Sequence, residues 1–320
     1  MVLDPHIAMV NHSCEPNAVV VNDGPIVTLR SLKAISSNEE IFISYIDNTE
    51  PYSRRQKELK DRYFFTCTCV KCSKGHDTTS DEWAGPFDKI SQEMKDFADS
   101  QGQTNPALLD PSNSVGDDDD AKRLQILQTL AYEKLDTARK PGNPSLTASE
   151  LEEGFKICHD TNIWPLHRQP YPALRHELMV SLLEKGDYLA AALHGIKTYF
   201  LIDPILYRQE NHPVRIIHKW TLSMSFLFLL SGPEYEDALS KMDKQGVNAV
   251  AITWALLREV NKGVNFSHGE SSSFAKKVWE KMAEVGNGLG GGDLRQLTRL
   301  ETEAAQQWQS FKEMASWTEL

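Results

Sequence analysis

The sequence predicts an α+β fold, in which a short strand-rich N-terminal region with clustered cysteines is followed by a longer all-α region. Three observations predict it: β-branched runs between residues 17 and 46, three cysteines within residues 67–72, and helical periodicity from residue 122 onward. The chain has 320 residues, of which 40% are hydrophobic and 25% charged. This length and composition favour a globular protein of about two domains with a sizeable core.

The N-terminal strands are predicted from three short runs of sequence. The run "AVVV" is followed by the turn residues "NDG", and "PIVTLRSL" and "IFISYI" come next within residues 17–46. Runs of this kind, separated by turn residues, are typical of strands. Residues 51–63 are densely charged and predict a helix, whereas residues 100–121 are polar, end in four Asp, and predict a loop or linker.

The region from residue 122 onward is predicted to form helices that pair with short turns between them. Apolar side chains repeat at helical spacing in three stretches. These are Leu174, Leu178 and Leu182; Tyr188, Ala192, Ile196 and Phe200; and Leu297, Leu300, Ala304, Trp308, Phe311 and Ala315. Asp187 and Asp293 precede the second and third stretches and are predicted N-caps. The hairpin over residues 172–203 is close to a tetratricopeptide pattern, although no clean 34-residue repeat is present.

Charge and hydropathy narrow the possible classes of protein. The apolar run Trp220–Leu230 is too short to cross a bilayer, and the N-terminus lacks the basic region of a signal peptide. Residues 1–76 hold nine Lys/Arg and nine Asp/Glu, so residues 77–320 carry the whole net charge of −11. We therefore expect neither a membrane nor a nucleic-acid partner. A basic partner such as a lysine-rich peptide is compatible with this charge, and an effect on solubility alone explains it equally well.

The cysteines predict a metal site. There are five, an odd number, and no export signal accompanies them, which favours a reducing compartment and metal over disulfides. Cys67, Cys69 and Cys72 can surround one soft ion, and zinc requires a fourth ligand. Cys14 is the candidate, although Cys158 or a histidine could take its place. The alternative is a group of buried free thiols.

Three motifs occur in an order that points to a known family. "NHSCEPN" at 11–17, "EEIFISYID" at 39–47 and "YFFTCTCVKC" at 63–72 together resemble the SET domain of protein-lysine methyltransferases, and the SET-and-MYND subfamily in particular. The resemblance covers about residues 1–76. It is looser in the helical part, where "NHPVRIIHKWTL" at 211–222 is the most similar stretch.

The resemblance implies a domain order. Residues 1–48 would be the C-terminal half of a SET domain, and residues 49–76 a post-SET zinc-binding segment. Residues 77–121 would hold a helix and a flexible linker, and residues 122–320 a tetratricopeptide-like helical domain. The fold implied is a partial SET-domain β-fold with its zinc segment, followed by an all-α domain.

The resemblance also implies roles for individual residues. Cys14, Cys67, Cys69 and Cys72 would bind a structural zinc ion. Asn11 and His12 would contact S-adenosylmethionine, and Phe65 would stack near its adenine. Tyr45 would be the catalytic tyrosine, also next to the cofactor, and Tyr63 would line the lysine channel as a second catalytic residue.

The chemistry of such a site is physically consistent. Free lysine has a pKa of about 10.4 and is almost wholly charged at neutral pH. A narrow aromatic channel removes water from the ammonium group and lowers its pKa, and the rings attract the cation before its proton leaves. Alignment of the amine with the methyl group would then supply much of the acceleration.

The expected function is S-adenosylmethionine-dependent methylation of a lysine-containing protein or peptide, histone or non-histone. The resemblance implies that the family carries the first half of the SET domain and a MYND module before "NHSC". We therefore expect this chain to be a C-terminal portion with weak or no activity of its own. The alternative is a helical interaction scaffold with a SET remnant; a zinc-dependent nucleic-acid binder is disfavoured by charge and cysteine spacing. We expect a monomer in the cytoplasm, the nucleus or both.

Overall fold

The structure is a computed structural model that describes residues 4–76, 118–140, 144–161, 164–232, 235–290 and 293–317. Its strands are β1 Asn11–His12, β2 Ala18–Asp23, β3 Ile26–Ser31 and β4 Phe42–Ile43. Its helices are α1 Tyr52–Tyr63, α2 Val70–Ser73, α3 Asp118–Ala138, α4 Pro144–His159, α5 Tyr171–Lys185, α6 Tyr188–Lys197, α7 Asp203–Leu206, α8 Pro213–Ser231, α9 Tyr235–Asp243, α10 Ala249–Ser267, α11 Ser273–Gly290 and α12 Leu294–Glu313. A π-helical turn, Thr198–Ile202, joins α6 to α7. The α+β prediction is confirmed.

The strands differ in part from the prediction. β2 and β3 form an antiparallel ribbon, with Gly24 at φ +59° in the connection, where the sequence predicted a turn. The strand predicted over "IFISYI" is shorter than expected. Within these six residues, the strand is limited to Phe42–Ile43, which pairs in parallel with Asn11–His12. The ladder stops there because the Tyr45 amide donates to a histidine side chain instead of a neighbouring strand.

The chain divides into two compact units that are interleaved in sequence. Unit 1 comprises Met1–Val10, Asn17–Ile41 and Met179–Leu320; unit 2 comprises Asn11–Pro16 and Phe42–Leu178. The division falls inside α5. The sequence-based domain boundaries remain predictions.

Unit 1 contains the β2–β3 ribbon and the helices from α6 to α12. Helix α10 contacts α8, α11 and α12, and α6 contacts α8. A core cluster at the α8–α10–α11 packing consists of Ile216, Val260, Val264, Ala275 and Val278. The ribbon is attached to this helical core through charged side chains. Arg30 donates to the carbonyls of Asn265 and Phe266 at the end of α10, 2.8 and 3.0 Å away, and Asp23 accepts from the Ser273 amide at the start of α11.

The helical predictions are largely confirmed within the described residues. Asp187 accepts a hydrogen bond from the Ala190 amide and Asp293 accepts one from the Arg295 amide, so both predicted N-caps are correct. Residues 100–117 of the predicted linker lie outside the described residues. Its last residues, from Asp118, belong to α3, a start that is consistent with the preference of Asp for the first turn of a helix.

One helical stretch in the described part of the chain, Tyr188–Leu206, has the length and apolar character of a membrane span, and 56% of it is buried inside the protein. The core helices of soluble proteins satisfy the same criterion, so this is weak support for a span. The apolar run Trp220–Leu230, which is too short to cross a bilayer, lies within α8.

Candidate metal centre and catalytic site

The candidate site lies entirely in unit 2, where two motifs distant in sequence meet. The parallel pairing of β1 with β4 sets Asn11 opposite Phe42 and His12 opposite Ile43. The next amide, that of Ser13, donates to the Ile43 carbonyl at 2.9 Å. This pairing brings the "NHSC" motif beside "SYID".

The four predicted cysteine ligands come together. The Sγ atoms of Cys14, Cys67, Cys69 and Cys72 all lie within 4.8 Å of one another. A tetrahedral zinc ion with Zn–S bonds of 2.3 Å would hold its sulfurs about 3.8 Å apart, so the group needs only small side-chain movements to bind zinc. Cys158, the alternative ligand, is buried on α4 and is not a member of this group.

Hydrogen bonds around the sulfurs favour thiolates at part of this cluster. Burial raises the pKa of Cys14, and it raises the pKa of Cys67 to about 11. Burial acts in the same direction on Cys69, but amide donors from Cys72 and Cys14, with thiol hydrogen bonds, lower its pKa to about 6. Binding of a soft cation would displace the remaining thiol protons, because zinc binds the deprotonated form.

Helix α1 supports the cysteine cluster from one side. Gln56 makes two hydrogen bonds with the main chain of Cys67, donating to its carbonyl at 2.8 Å and accepting from its amide at 3.0 Å. The side chain of Leu59 is fully buried against the cysteines. Arg55 donates to the Glu50 carbonyl and to Cys72 Sγ. One face of this charged helix is therefore part of the site.

His12 connects the cysteine cluster to the predicted catalytic tyrosine. Its Nδ1 accepts from the Tyr45 amide at 3.0 Å, so the tautomer carries its proton on Nε2, which lies 3.3 Å from Cys14 Sγ. Burial, and then the nearby charge of Arg55, lowers the pKa of His12 to about 4, which keeps the ring neutral at pH 7. Both ring nitrogens are thus engaged within the site.

An aromatic cluster lies next to the cysteines. The Tyr45 ring centroid is 5.2 Å from that of His12, 4.9 Å from that of Tyr63 and 6.5 Å from that of Phe65. The Tyr63 hydroxyl donates to the Tyr45 carbonyl at 3.1 Å. Between Tyr63 and Phe65, Phe64 adopts a left-handed conformation at φ 62° that ends α1 and reverses the chain.

The predicted catalytic and cofactor residues differ in exposure. His12 is buried, Tyr45 and Phe65 are half-buried, and Asn11 and Tyr63 are exposed. Burial, and then the neighbouring Tyr63, raises the pKa of Tyr45, so its phenol stays protonated at neutral pH and can donate or accept a hydrogen bond. The roles assigned to these five residues remain predictions.

The contribution of α1 to the site was not predicted. The charge pattern of residues 51–63 predicts only a helix, yet Arg55 and Gln56 contact the cysteine segment. Arg55 and Leu59, four residues apart, lie on the same face of the helix and are both buried, so this spacing indicates the inward face of α1.

Comparisons with known proteins agree with the motifs. The family model described as SET domain matches residues 2–46. N-lysine methyltransferase SMYD2 of Homo sapiens is 39% identical over 252 residues, which are 78% of this chain and 50% of that protein. SMYD2 of Gallus gallus is 45% identical over 241 residues, 74% of this chain and 48% of that protein. SET domain and MYND-type zinc finger protein 6 of Schizosaccharomyces pombe is 42% identical over 101 residues, 31% of this chain and 21% of that protein.

The matched segment and the geometry around it define residues 2–46 as part of a SET domain. The chain spans about half the length of the SMYD2 proteins that it matches. By its motif order and these relatives, the chain is similar to the SET-and-MYND type of SET-domain proteins.

Proposed function

We propose that this site takes part in S-adenosylmethionine-dependent methylation of lysine side chains in a protein or peptide. The observation that carries the proposal is the aromatic cluster of His12, Tyr45, Tyr63 and Phe65, built directly against four cysteines. Relatives named N-lysine methyltransferases support the same reaction class.

The residues of this chain can prepare a lysine for attack. Tyr45 and Tyr63, with ring centroids 4.9 Å apart, offer an aromatic surface to a lysine stem and attract its cationic end. Removal of water there lowers the pKa of the ammonium group, which favours the neutral amine that must attack. The protonated phenol of Tyr45 can then orient the amine by a hydrogen bond, and alignment of this kind is a large source of catalytic acceleration.

The cofactor, when bound, supplies an electrophilic methyl group on a sulfonium sulfur. Asn11, His12, Tyr45 and Phe65 are the residues that we propose to hold it. Since both His12 nitrogens are engaged by Tyr45 and Cys14, the histidine would contact the cofactor through its ring face or main chain. Phe65, half-buried beside His12, offers a ring for stacking.

We propose a structural role for zinc at the four cysteines. Four thiolates leave no open position for water or substrate. The ion would join Cys14, which follows β1, to the segment that ends in Cys72. His12 extends that connection to the main chain of Tyr45.

Calorimetry with S-adenosylmethionine, elemental analysis and radiolabelled methyl transfer to lysine-rich proteins test the proposal. We expect one zinc per chain and measurable cofactor binding, which Phe65→Ala weakens about tenfold by removing a stacking ring. We expect weak methyl transfer by this chain. Tyr45→Phe should leave cofactor binding intact, because the ring remains, and should lower that transfer about 10–100-fold. Tyr188→Phe is the control, because this tyrosine lies on α6 in unit 1 and packs on Phe228.

Each outcome has a distinct meaning. Zinc without cofactor binding would contradict the cofactor assignment. Cofactor binding without any methyl transfer would contradict the enzymatic assignment for this chain and favour the helical scaffold as its function. The cytoplasmic or nuclear location and the monomeric state stay predictions.

A further inference from the structure

Arg55 is an unusual residue to find beside a cysteine cluster. It lies in the first turn of α1, and only 1% of its surface is exposed. One terminal nitrogen, Nη1, donates to the Glu50 carbonyl, and the other, Nη2, lies 3.9 Å from Cys72 Sγ. A guanidinium group is costly to bury unless negative charge lies nearby.

The cysteine cluster can provide that negative charge when metal is bound. Zinc carries two positive charges and four thiolates carry four negative charges, so the loaded centre has a net charge of −2. The Sγ atom of Cys72, to which Arg55 Nη2 donates, lies 3.5 Å from that of Cys14. The guanidinium group therefore lies directly beside one sulfur of the cluster and one sulfur away from a second.

We propose that Arg55 is a positioning residue of the metal centre, whose buried positive charge offsets part of the negative charge of the tetrathiolate. The proposal rests on the zinc site proposed above. The fork of the side chain also fixes Cys72 relative to the Glu50 carbonyl at the start of α1, since a planar guanidinium presents its donors in a fixed arrangement.

The two parts of this role make different demands on a substitute. A lysine at position 55 keeps the charge but loses the fork, whereas a glutamine keeps an amide donor but loses the charge. Removal of a residue that supports metal ligands typically lowers metal affinity about 10–100-fold. Comparison of Arg55→Lys with Arg55→Gln therefore separates charge compensation from packing and hydrogen bonding.

The experiment measures zinc affinity by chelator competition in the full chain and the absorption spectrum of the cobalt(II)-substituted protein. We expect Arg55→Gln to weaken zinc binding by about 10–100-fold. We expect Arg55→Lys, which loses the fork but keeps the charge, to weaken it by only about threefold, because charge compensation is the larger part of the role. We also expect the sulfur-to-cobalt charge-transfer band to move to longer wavelength in Arg55→Gln, because the sulfur electrons lose a stabilising positive charge. Arg62→Gln, on the exposed face of the same helix, is the matched control and should change neither measurement.

Circular dichroism in excess zinc verifies folding of each variant. Equal losses of affinity in Arg55→Lys and Arg55→Gln, or an unmoved cobalt band in Arg55→Gln, would overturn the proposal and leave the zinc site standing. If Arg55→Gln does not fold, a wild-type band and a large loss of affinity in Arg55→Lys would overturn it equally. Failure of the parent chain to bind zinc or cobalt would instead overturn the proposed metal site itself.

Discussion

Glu50 is predicted to make the stability of unit 2 depend on pH. Its side chain is 11% exposed, its Oε2 accepts from the Tyr132 hydroxyl at 2.7 Å, and Arg54 Nε lies 3.4 Å from the same oxygen. Burial raises the pKa of Glu50 to about 7; the Tyr132 hydrogen bond opposes that rise, Asp47 adds to it and Arg54 opposes it. The carboxyl group is therefore easier to protonate in the folded protein than in the unfolded chain.

The size and sign of the effect follow from the two pKa values. An unperturbed Glu has a pKa of 4.5, against about 7 when folded. Between those values the folded protein binds more protons than the unfolded chain, so its stability falls as pH rises. Well below pH 4.5 the Glu50 carboxyl is protonated in both states and no stability is lost. Above about pH 7 the full loss of stability applies. A difference of about 2.5 pKa units corresponds to about 3 kcal/mol.

Glu50→Gln tests this reasoning, because an amide of the same shape can still accept from Tyr132 but cannot ionise. We expect the free energy of unfolding of the variant to lie within about 1 kcal/mol of the parent near pH 5 and to exceed it by about 3 kcal/mol at pH 8. The ion pair with Arg54 needs no separate allowance, because it already contributes to the folded pKa of about 7. Urea unfolding followed by circular dichroism at a series of pH values measures the difference.

Glu133→Gln is the control, since Glu133 follows Tyr132 on α3 but is exposed. Its free energy of unfolding should run parallel to that of the parent across the same pH range. If Glu50→Gln also ran parallel to the parent from pH 5 to pH 8, the folded pKa of Glu50 would not be raised, and the argument from burial would be refuted.

Three further predictions concern packing, capping and metal. Gly263→Ala should destabilise the protein by about 1–3 kcal/mol, because the new Cβ would clash with Ile216 Cδ1, whereas Gly288→Ala, with open space around it, should be neutral or stabilising by up to about 1 kcal/mol. Thermal unfolding compares the two variants, and equal effects would contradict the close packing at Gly263. Asn248→Ala should cost about 1 kcal/mol, because its side chain accepts from two amides at the start of α10, and an unchanged melting temperature would contradict that cap. Chelation of zinc should abolish the near-ultraviolet circular dichroism of the aromatic cluster, and an unaltered spectrum would show that the cysteines do not support it.

The elements that follow local rules were predictable from the sequence. The cysteine triplet is compact, and its grouping with Cys14 followed from the motif resemblance. The caps at Asp187 and Asp293 use short-range hydrogen bonds that a local pattern encodes. The helix over residues 51–63 is also local, and the structure places it at Tyr52–Tyr63.

The features that depend on distant partners were not predictable in the same way. The pairing of β1 with β4 joins residues about thirty positions apart, and a two-residue strand has no periodicity of its own. Arginine side chains are usually exposed, and only the position of Cys72 in the fold shows why Arg55 is buried. The hydrogen bonds of Arg30 to the end of α10 join residues more than 230 positions apart, and no local sequence pattern predicts them.

The interleaving of the two units limits how the chain can be cut. A fragment starting at residue 122 would separate α4 and most of α3 from the cysteine centre, because all of them belong to unit 2. The shortest uninterrupted piece that retains unit 2 runs from residue 11 to residue 178. That piece includes the β2–β3 ribbon but not the helix ends to which Arg30 and Asp23 are hydrogen-bonded. In the isolated piece, these two charged side chains would therefore lose those hydrogen-bond partners.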